Sequence, residues 1–542
     1  MTLAGGADWW RRAVFYQVYP RSFQDTNGDG IGDLQGIIDR LDYLNDGTDR
    51  SLGIDAIWLS PTYPSPMKDF GYDVSDYCDV SPEFGDLTTM DRLIAESHRR
   101  GIRVLLDYVP NHTSDLHPWF IEARQLRESP KRDWYVWRDA RPDGALPNNW
   151  RSVFGGSAWE YDVGTAQYYL HSFLVEQPDL NWRNPEVVAA MHNVLRFWLG
   201  RGVDGFRIDV VGMILKHPGL ADNVEDPVWE PGAAFSRYLS QNNRNYPDVF
   251  EAVRGIRSVL DEFPGTMAVG EVSGTAEELA HFYGDSALDG LQLAFNFRLI
   301  CEVEPTPTPW TAEAIRRVVN ASEAVLPAGA QPCFALNNHD QPRFISRHDS
   351  DGHGRDRARG AVLLLLGHRS TPFLYYGEEV GMGNVDIPEE RLRDPARILT
   401  IGRDPERTPM QWDGTESRGF SEAEPWLPYG PRTTNVAAQV DAPDSMLSLY
   451  RRALRVRHDQ RVLTEGTYHE CAAPDGVFAF MREAAGSAPV FVVVNTTGEA
   501  VTVRPFDSPC EVLVASDLSR ERYFADGDVT VEAFGAAWVA RR

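Results

Sequence analysis

Eight short apolar segments, separated by stretches of helical character, constrain the fold of this chain more than any other feature. Each is almost continuously hydrophobic, which indicates a strand buried on both faces, as in a parallel sheet. Parallel strands need crossover connections, and the intervening stretches supply helices for them. Eight such alternations predict an α/β fold, a (β/α)8 barrel of the TIM type. The segments run over 14–20, 56–61, 103–110, 205–211, 267–272, 291–297, 333–340 and 371–379.

The connections carry recognisable helix signals. Asn184 is a candidate N-cap, and Pro185 takes the first helical position of a segment whose apolar residues recur at helical spacing. The run from Thr88 to Asp91 resembles a capping box that opens a helix ending before Gly101. Both segments are therefore predicted to be amphipathic crossover helices.

Two connections are too long to be simple crossovers. Residues 111–181, after the third strand, predict an inserted domain, and 381–434, after the eighth, predict a long insertion that forms a lid or wall. Beyond 458 the pattern changes to short β-rich runs separated by turns, which predicts an antiparallel β-sandwich over 459–542. The catalytic barrel is therefore predicted to comprise 1–110 and 182–458.

Charge and cysteine content exclude several classes of function. The 542 residues carry a formal net charge of −26, which would repel a phosphate backbone, so no nucleic acid partner is expected. No apolar run approaches the roughly 20 residues that span a bilayer, and the N-terminus lacks the pattern of a secretory signal. Five scattered cysteines show neither metal-ligand spacing nor a disulfide framework. We expect a cytoplasmic protein with no membrane partner; the sequence leaves the oligomeric state open.

Acidic residues interrupt the apolar strands near their carboxyl ends. Asp209 follows the fourth strand, Glu271 the fifth and Asp340 the seventh. Because the carboxyl ends of barrel strands share one rim, we expect these side chains to converge. A single buried carboxylate could belong to a structural ion pair, but several strand ends together favour a catalytic site. The same rim is predicted to hold Asp107, His112, Arg207 and His339.

This set of side chains suits hydrolysis of a hydroxyl-rich substrate. A glycosidase needs one protonated carboxyl to donate to the leaving oxygen and one ionised carboxylate to attack the anomeric carbon. Arg207, two residues before Asp209 on the same strand face, is expected to lower the pKa of Asp209 and keep it ionised as the nucleophile. Glu271 has no adjacent basic residue, so it is the expected proton donor and later base.

Four motifs carry a family resemblance. DYVPNHT, GFRIDVV, VGEV and NNHDQPR, in this order and on these strands, resemble the signature regions of the α-amylase superfamily, glycoside hydrolase family 13. The likeness runs from Trp9 to about Arg457. Within that family, QVYPRSFQDTNGDGIGDLQGI, DFGYDVSDY, FGGSAW, RTPMQWD and PWLP resemble segments of bacterial α-glucosidases and oligo-1,6-glucosidases.

The resemblance implies roles for individual residues. It implies Asp209 as nucleophile, Glu271 as general acid/base and Asp340 as the residue that stabilises the transition state. Asp69 would hold the sugar and pair with Arg407 to close the pocket, with Arg403 as the competing arginine. A closed pocket implies an exo-acting enzyme. The implied substrate-binding residues are Asp69, Tyr72, His112, Phe154, Phe173, Arg207, His339 and Arg407.

A second motif predicts a metal site. Oxygen-bearing residues fall at positions 1, 3, 5 and 9 of a loop with glycine at position 6, as in an EF-hand, although Gly36 replaces the glutamate at position 12. The resemblance implies Ca²⁺, or sometimes Mg²⁺, in a stabilising role; an Asx-rich turn without metal is the alternative. No organic cofactor is expected. The predicted ligands are Asp25, Asn27, Asp29, the carbonyl of Ile31, and Asp33.

The expected activity is release of glucose from the non-reducing end of a small oligosaccharide or disaccharide, with retention of configuration and transglucosylation as a side reaction. Val210 follows the nucleophile, and the resemblance to oligo-1,6-glucosidases at this position indicates tolerance of α-1,6 as well as α-1,4 bonds. A trehalose synthase or isomerase and a dedicated transglucosylase share the same motifs. An inactive relative acting as a binding scaffold should have lost a catalytic carboxylate, whereas all three are present.

Overall fold

The structure, a computed structural model, describes residues 6–229, 237–303, 306–398, 402–520 and 524–542. Eight parallel strands close into the predicted barrel, in which each strand pairs with its neighbours in chain order and the first pairs with the last. The strands are Phe15–Val18 (β1), Ala56–Leu59 (β2), Arg103–Tyr108 (β3), Gly205–Ile208 (β4), Met267–Gly270 (β5), Leu293–Asn296 (β6), Cys333–Ala335 (β7) and Thr371–Tyr375 (β8).

Large side chains fill the barrel interior. Phe15 on β1 stacks on Phe373 of β8 with ring centroids 4.3 Å apart, and Phe295 of β6 meets Phe373 edge to face. Trp58 of β2 closes the same cluster, which is fully buried. The interior is therefore a packed core rather than a pore, and only the carboxyl ends of the strands are left to form a site.

Helices cover the outside of the barrel. The predicted cap is confirmed at Asn184, whose side chain accepts a hydrogen bond from the backbone of Glu186. The predicted cap at Thr88 is wrong, because Asp86 accepts from the backbone of Thr89 instead. The helices are Leu34–Leu44, Leu87–Arg99, Pro118–Gln125, Pro185–Gly200, Val249–Asp261, Ala276–His281, Ala312–Val325, Phe344–Arg347, Gly354–Gly367, Val436–Gln439, Met446–Asp459 and Arg461–Glu465. Within the described residues, no helix is both long and apolar enough to cross a bilayer.

A small antiparallel sheet lies between β3 and β4, where the sequence predicts an insertion. Its strands are Trp137–Arg138, Trp159–Asp162 and Gln167–Leu170. The returning segment meets the barrel rim through a bridge between Asp179 and His112. Asp179 also forms a buried ion pair with Lys216 at 2.7 Å, which anchors the inserted segment to the loop after β4.

The C-terminal region is antiparallel, as predicted. Its main sheet contains the strands Thr467–Glu470, Val477–Glu483, Val490–Asn495, Ala536–Arg541, Cys510–Ala515 and Phe524–Ala525, and a second sheet pairs Val501–Val503 with Val529–Val531. It packs against the helix that precedes β8, where Trp538 donates to the carbonyl of Leu363. A separate short hairpin pairs Cys301–Val303 with Thr306–Pro307 after β6.

Candidate active site

The polar side chains at the carboxyl ends of the strands converge around a cavity of about 490 Å³. Asp209 after β4, Glu271 after β5 and Asp340 after β7 all line it. The convergence that the sequence predicts is therefore confirmed. Its cause is the parallel register, because each strand delivers its last residues to the same rim.

One guanidinium organises the carboxylates. Arg207 on β4 is fully buried, and its Nη1 donates to Asp107 at 2.8 Å and to Asp209 at 2.7 Å. Its Nη2 donates to Oε2 of Glu271. Asp107 lies opposite Arg207 in the β3–β4 register and also accepts from Tyr72 at 3.0 Å. A buried cation with three carboxylate partners is well compensated, and its geometry holds two catalytic candidates side by side.

The prediction that Arg207 lowers the pKa of Asp209 is wrong. Burial raises the pKa of Asp209 well above its ordinary value; Arg207 opposes this, whereas Glu271 and Asp107 add to it. Burial likewise raises the pKa of Asp107 to about 6. The physical reason is that one arginine is shared by three carboxylates, so the nearby charge of Arg207 does not lower the pKa of Asp209 below its ordinary value. The cluster instead favours holding a proton.

Asp340 lies in the opposite electrostatic environment. Burial works against its ionised form, but His339 at 3.3 Å, Arg403 at 3.0 Å and Arg407 at 2.9 Å outweigh it and hold its pKa below the usual range. Asp340 is therefore ionised at neutral pH. The cavity thus combines a fixed negative charge on one wall with proton-sharing carboxylates on another.

The arginine that pairs with Asp69 is Arg403, not Arg407. Nη2 of Arg403 lies 2.7 Å from Asp69, and the same guanidinium contacts Asp394 at 2.8 Å. Arg407 instead donates to the carbonyl of His339 at 2.6 Å and to Asp340. The predicted Arg407–Asp69 pair is thus replaced by the competing choice, because Arg407 is directed to the end of β7 and Arg403 to Asp69 and Asp394.

The aromatic side chains also lie where the sequence places them. Phe154 and Phe173 line the cavity with ring centroids 5.8 Å apart, and Phe173 lies 5.1 Å from the ring of His112. Burial lowers the pKa of His112 to about 4, so its ring is neutral. Tyr72 forms part of the same wall and stacks on His339 at 5.4 Å.

Three predicted substrate-binding residues lie behind the wall rather than on it. Of the described residues that line the cavity, none is Arg207, His339 or Arg407. Each of the three instead touches a residue that does line it. His339, for example, contacts the hydroxyl of Tyr72 at 2.6 Å. In this structure they orient the wall.

Sequence reasoning missed several contributors. Gln177, in the returning segment of the insertion, donates to Asp69 at 3.1 Å and lies 3.1 Å from His112. No strand-end pattern marks such a residue, since a loop distant in the chain carries it to the rim. The cavity lining that the sequence did not predict includes Met213, Arg244, Asn245, Ser273 and Glu406.

The predicted metal loop is folded against the stretch that follows β8. The carboxylate of Asp25 accepts from the backbone of Asn27, Gly28 and Gly30, and Trp426 donates its backbone N–H to the carbonyl of Gly30. Asp33 accepts from Thr26. The side chains of Asp25, Asn27 and Asp29 each accept a backbone hydrogen bond from two residues further on.

The donor set of this loop fits an oxygen-ligated cation only if it includes uncharged oxygens. Among the residues that the structure describes, no cluster of three or more His, Cys, Asp and Glu side chains is arranged to hold a metal ion. Asp33 also accepts from the backbone of Gly36 as the cap of the following helix. Ligation would therefore have to draw on Asn27 and the carbonyl of Ile31 as well as on carboxylates, a composition that hard cations such as Ca²⁺ accept.

A closed parallel barrel with paired carboxylates at its rim defines a barrel enzyme of the glycoside hydrolase class. Residues 17–466 match the family model described as "Alpha amylase, catalytic domain". The chain belongs to this family, glycoside hydrolase family 13, and is an enzyme of that family.

Relatives span nearly the whole chain. A probable alpha-glucosidase of Rhizobium meliloti is 44% identical and covers 98% of this chain and 96% of its own length. An oligo-1,6-glucosidase of Parageobacillus thermoglucosidasius is 39% identical and covers 90% of each chain.

Solved structures with the same fold include transfer and isomerising enzymes. The alpha-glucosyl transfer enzyme XgtA is 38% identical, with a TM-score of 0.89, over 99% of this chain and 100% of its own. The trehalulose synthase MutB from Pseudomonas mesoacidophila is 35% identical, with a TM-score of 0.88, over the same shares. The fold alone therefore does not separate hydrolysis from transfer or isomerisation.

Proposed function

We propose that the protein is an exo-acting, retaining α-glucosidase that releases glucose from the non-reducing end of short α-glucosides. The observation that carries the proposal is the shared guanidinium of Arg207, which contacts both Asp209 and Glu271 at the cavity wall. A double displacement needs two carboxyl groups close together and in different protonation states.

Asp209 is the proposed nucleophile and Glu271 the proposed acid/base. The side chain of Asp209 is 8% exposed and that of Glu271 is 18% exposed. The more accessible carboxyl is the better placed to reach a leaving oxygen on the open side. Because three carboxylates share Arg207, we propose that the cluster retains one proton, and that the reaction starts from the state in which Glu271 carries this proton and Asp209 is ionised.

The proposed reaction has two steps. A carboxylate oxygen of Asp209 attacks the anomeric carbon, while Glu271 gives its proton to the departing glycosidic oxygen. Glu271, now ionised, takes a proton from water, and the hydroxide oxygen attacks the anomeric carbon and releases Asp209. If a sugar hydroxyl replaces water, the same step gives transglucosylation. Asp340 would bind sugar hydroxyls as a fixed negative charge.

The closed end of the cavity supports exo action. Asp69 and Arg403 pair at 2.7 Å, and the guanidinium lies 5.2 Å from the ring of Phe154. Gln177 ties Asp69 to the inserted segment. These contacts place an ion pair and an aromatic ring beside one another on the cavity wall at Asp69. We infer that one glucosyl unit occupies this end of the pocket and that the rest of the substrate extends outwards.

Substitution tests the roles directly. Asp209→Asn should abolish turnover while the thermal unfolding temperature stays near that of the wild type. Glu271→Gln should accumulate a glucosyl-enzyme from a nitrophenyl glucoside, detectable by mass spectrometry of the intact protein. Normal turnover by either variant would contradict the assignment.

Isomerisation is the second candidate function, because the fold matches a trehalulose synthase over 99% of this chain. Product analysis decides between the candidates on a panel of maltose, isomaltose, sucrose, trehalose and a nitrophenyl glucoside. Free glucose indicates hydrolysis, longer oligosaccharides indicate transfer, and a rearranged disaccharide indicates isomerisation. Comparable turnover of maltose and isomaltose would support the proposed tolerance of α-1,6 bonds.

We further propose that the loop from Asp25 to Asp33 holds a stabilising Ca²⁺. The loop packs on the stretch that carries Arg403, since Gly30 accepts a hydrogen bond from Trp426. An ion there would stiffen the loop and, through it, the wall of the cavity. It would take no part in the chemistry, because none of these residues lines the cavity among the described residues.

A further inference from the structure

Asn245 links the two loops that carry the proposed catalytic carboxylates. It precedes the helix Val249–Asp261, in the connection between β4 and β5. Its backbone N–H donates to the carbonyl of Gly212 at 2.7 Å, and its side-chain Nδ2 donates to the carbonyl of Ser273 at 2.9 Å. Gly212 follows Asp209 by three residues and Ser273 follows Glu271 by two. One residue therefore fastens both loops.

The conformation of Asn245 shows that its position is imposed by its surroundings. Its φ is 51°, in the left-handed region that few residues other than glycine adopt, although asparagine tolerates it. Its buried Oδ1 has no hydrogen-bond partner in the described part of the chain. Backbone strain and an unpaired polar atom persist only where neighbouring contacts over-determine the geometry, which is common at active sites.

The absence of a side chain at Gly212 leaves the space that the side chain of Asn245 occupies. A Cβ at Gly212 would lie 2.2 Å from Oδ1 of Asn245, an impossible contact, while the next atom of another residue, Cζ of Phe282, would be 3.6 Å away. Gly212 does not have a left-handed φ, so the glycine is needed for space rather than for conformation. The asparagine side chain and the glycine thus form a matched pair.

We propose that Asn245 is a positioning residue for catalysis: it fixes the loop of Glu271 relative to the loop of Asp209 and so sets the geometry between proton donor and nucleophile. The inference rests on the proposed function, because it uses those two roles. Both hydrogen bonds end on backbone carbonyls, so they hold the loops and not the carboxylates themselves. Losing them should misplace Glu271 most, since Ser273 is only two residues away.

The variant Asn245→Gly isolates the side chain. Glycine keeps the left-handed backbone and the N–H bond to Gly212 but removes the amide that holds Ser273. We expect kcat/KM for maltose, whose leaving group must be protonated, to fall about tenfold or more, because small displacements of catalytic groups are costly. We expect a smaller fall for nitrophenyl glucoside, whose leaving group needs little protonation. Ala166→Gly, at a left-handed position of φ 54° in the turn between Trp159–Asp162 and Gln167–Leu170, is the matched control and should leave kcat/KM for both substrates unchanged.

A double-variant cycle tests the contact itself. Gly212→Ala alone should lower both the unfolding temperature and activity, because the new methyl group meets Oδ1. In the Asn245→Gly background the obstructing atom is gone, so the added effect of Gly212→Ala should shrink. Equal effects of Gly212→Ala in both backgrounds would overturn the contact and the proposal with it.

The outcomes separate this proposal from the proposed function. If the wild type hydrolyses α-glucosides and Asp209→Asn does not, the function stands whatever Asn245 does. In that case, unchanged kcat/KM for Asn245→Gly, or equal losses on both substrates, overturns the positioning role. If the wild type releases no glucose from any α-glucoside, the proposed function fails, and the unfolding temperatures of the cycle still decide whether the contact exists.

Discussion

Removing Arg403 should be among the most damaging single substitutions outside the proposed catalytic carboxylates. Its guanidinium contacts Asp69 at 2.7 Å, Asp394 at 2.8 Å and Asp340 at 3.0 Å. The side chains of Asp69 and Asp394 are 6% and 0% exposed. Asp340 keeps Arg407 as a partner, but the other two carboxylates lose their main compensating charge. Arg403→Met keeps most of the volume of the side chain and removes the charge.

The size of the expected destabilisation follows from the burial of these ion pairs. Breaking a buried ion pair by removing one partner costs about 3–5 kcal/mol. Burial opposes ionisation of Asp394, but the hydrogen bonds and charge of Arg403, helped by Arg407, lower its pKa from 3.8 to about 2. That difference alone corresponds to about 2 kcal/mol. We therefore expect Arg403→Met to lower the free energy of unfolding by about 3–5 kcal/mol at pH 7.

The penalty should depend on pH. In the wild type the pKa of Asp394 is below its unfolded value, so this stabilisation is complete above about pH 4 and is lost as the pH falls towards 2. In the variant the buried, unpaired carboxylates have raised pKa values and take up protons as the pH falls, which relieves the penalty. The difference in unfolding free energy between variant and wild type should therefore be smaller at pH 5 than at pH 7.

Denaturant unfolding at the two pH values measures the effect, and maltose kinetics measure its consequence, a fall in kcat/KM as the closed end of the pocket loosens. Arg391→Met is the control, since Arg391 pairs with Glu424, which is 76% exposed, and should cost no more than about 1 kcal/mol. A loss below about 1 kcal/mol for Arg403→Met, or a loss independent of pH, would refute the reasoning.

Three other predictions concern the insertion, the metal loop and the linkage preference. Lys216→Met should destabilise the protein by about 3–5 kcal/mol in denaturant unfolding, because Asp179 is left buried without its ammonium partner; adding Asp179→Asn should recover part of the loss, and no recovery would argue against the pair. Calcium at 100-fold above its Kd should stabilise the wild type by about 2.7 kcal/mol and a chelator should reverse this, whereas Asp29→Ala should respond to neither. Val210→Thr should lower the isomaltose-to-maltose ratio of kcat/KM severalfold, and an unchanged ratio would contradict the role of Val210.

The barrel could be predicted because its determinants are local. Each strand is a short apolar run, and continuous hydrophobicity indicates that both faces of the strand are buried. Asp209, Glu271 and Asp340 can be predicted for the same reason, because a charged residue at the end of an apolar run is unfavourable unless it has a partner or a function. The cap at Asn184 is also a local signal in the sequence. Near Thr88, in contrast, several residues that can cap a helix occur within a few positions, and the sequence does not tell which of them is the cap.

The sequence does not show which of two similar side chains makes a given contact. Arg403 and Arg407 lie four residues apart in one irregular stretch, and no periodicity tells which of them faces Asp69. Gln177 contacts Asp69 and Asn245 lines the cavity, and both lie in connections whose paths depend on packing. Each of these contacts joins residues far apart in the chain, so only the folded backbone brings the partners together.

The pKa of Asp209 shows most clearly which properties follow from the local sequence and which depend on the folded structure. The sequence by itself determined the eight-stranded barrel, the rim and the identity of the carboxylates, because hydrophobic burial and strand period are written locally along the chain. Only the tertiary structure decided how their charge is shared. Arg207 lies two residues before Asp209 in the sequence, but in the folded chain it also donates hydrogen bonds to Asp107 and Glu271. Electrostatic energy depends on every charge within a few ångströms and on burial, and neither quantity is a property of the neighbouring residues in the chain.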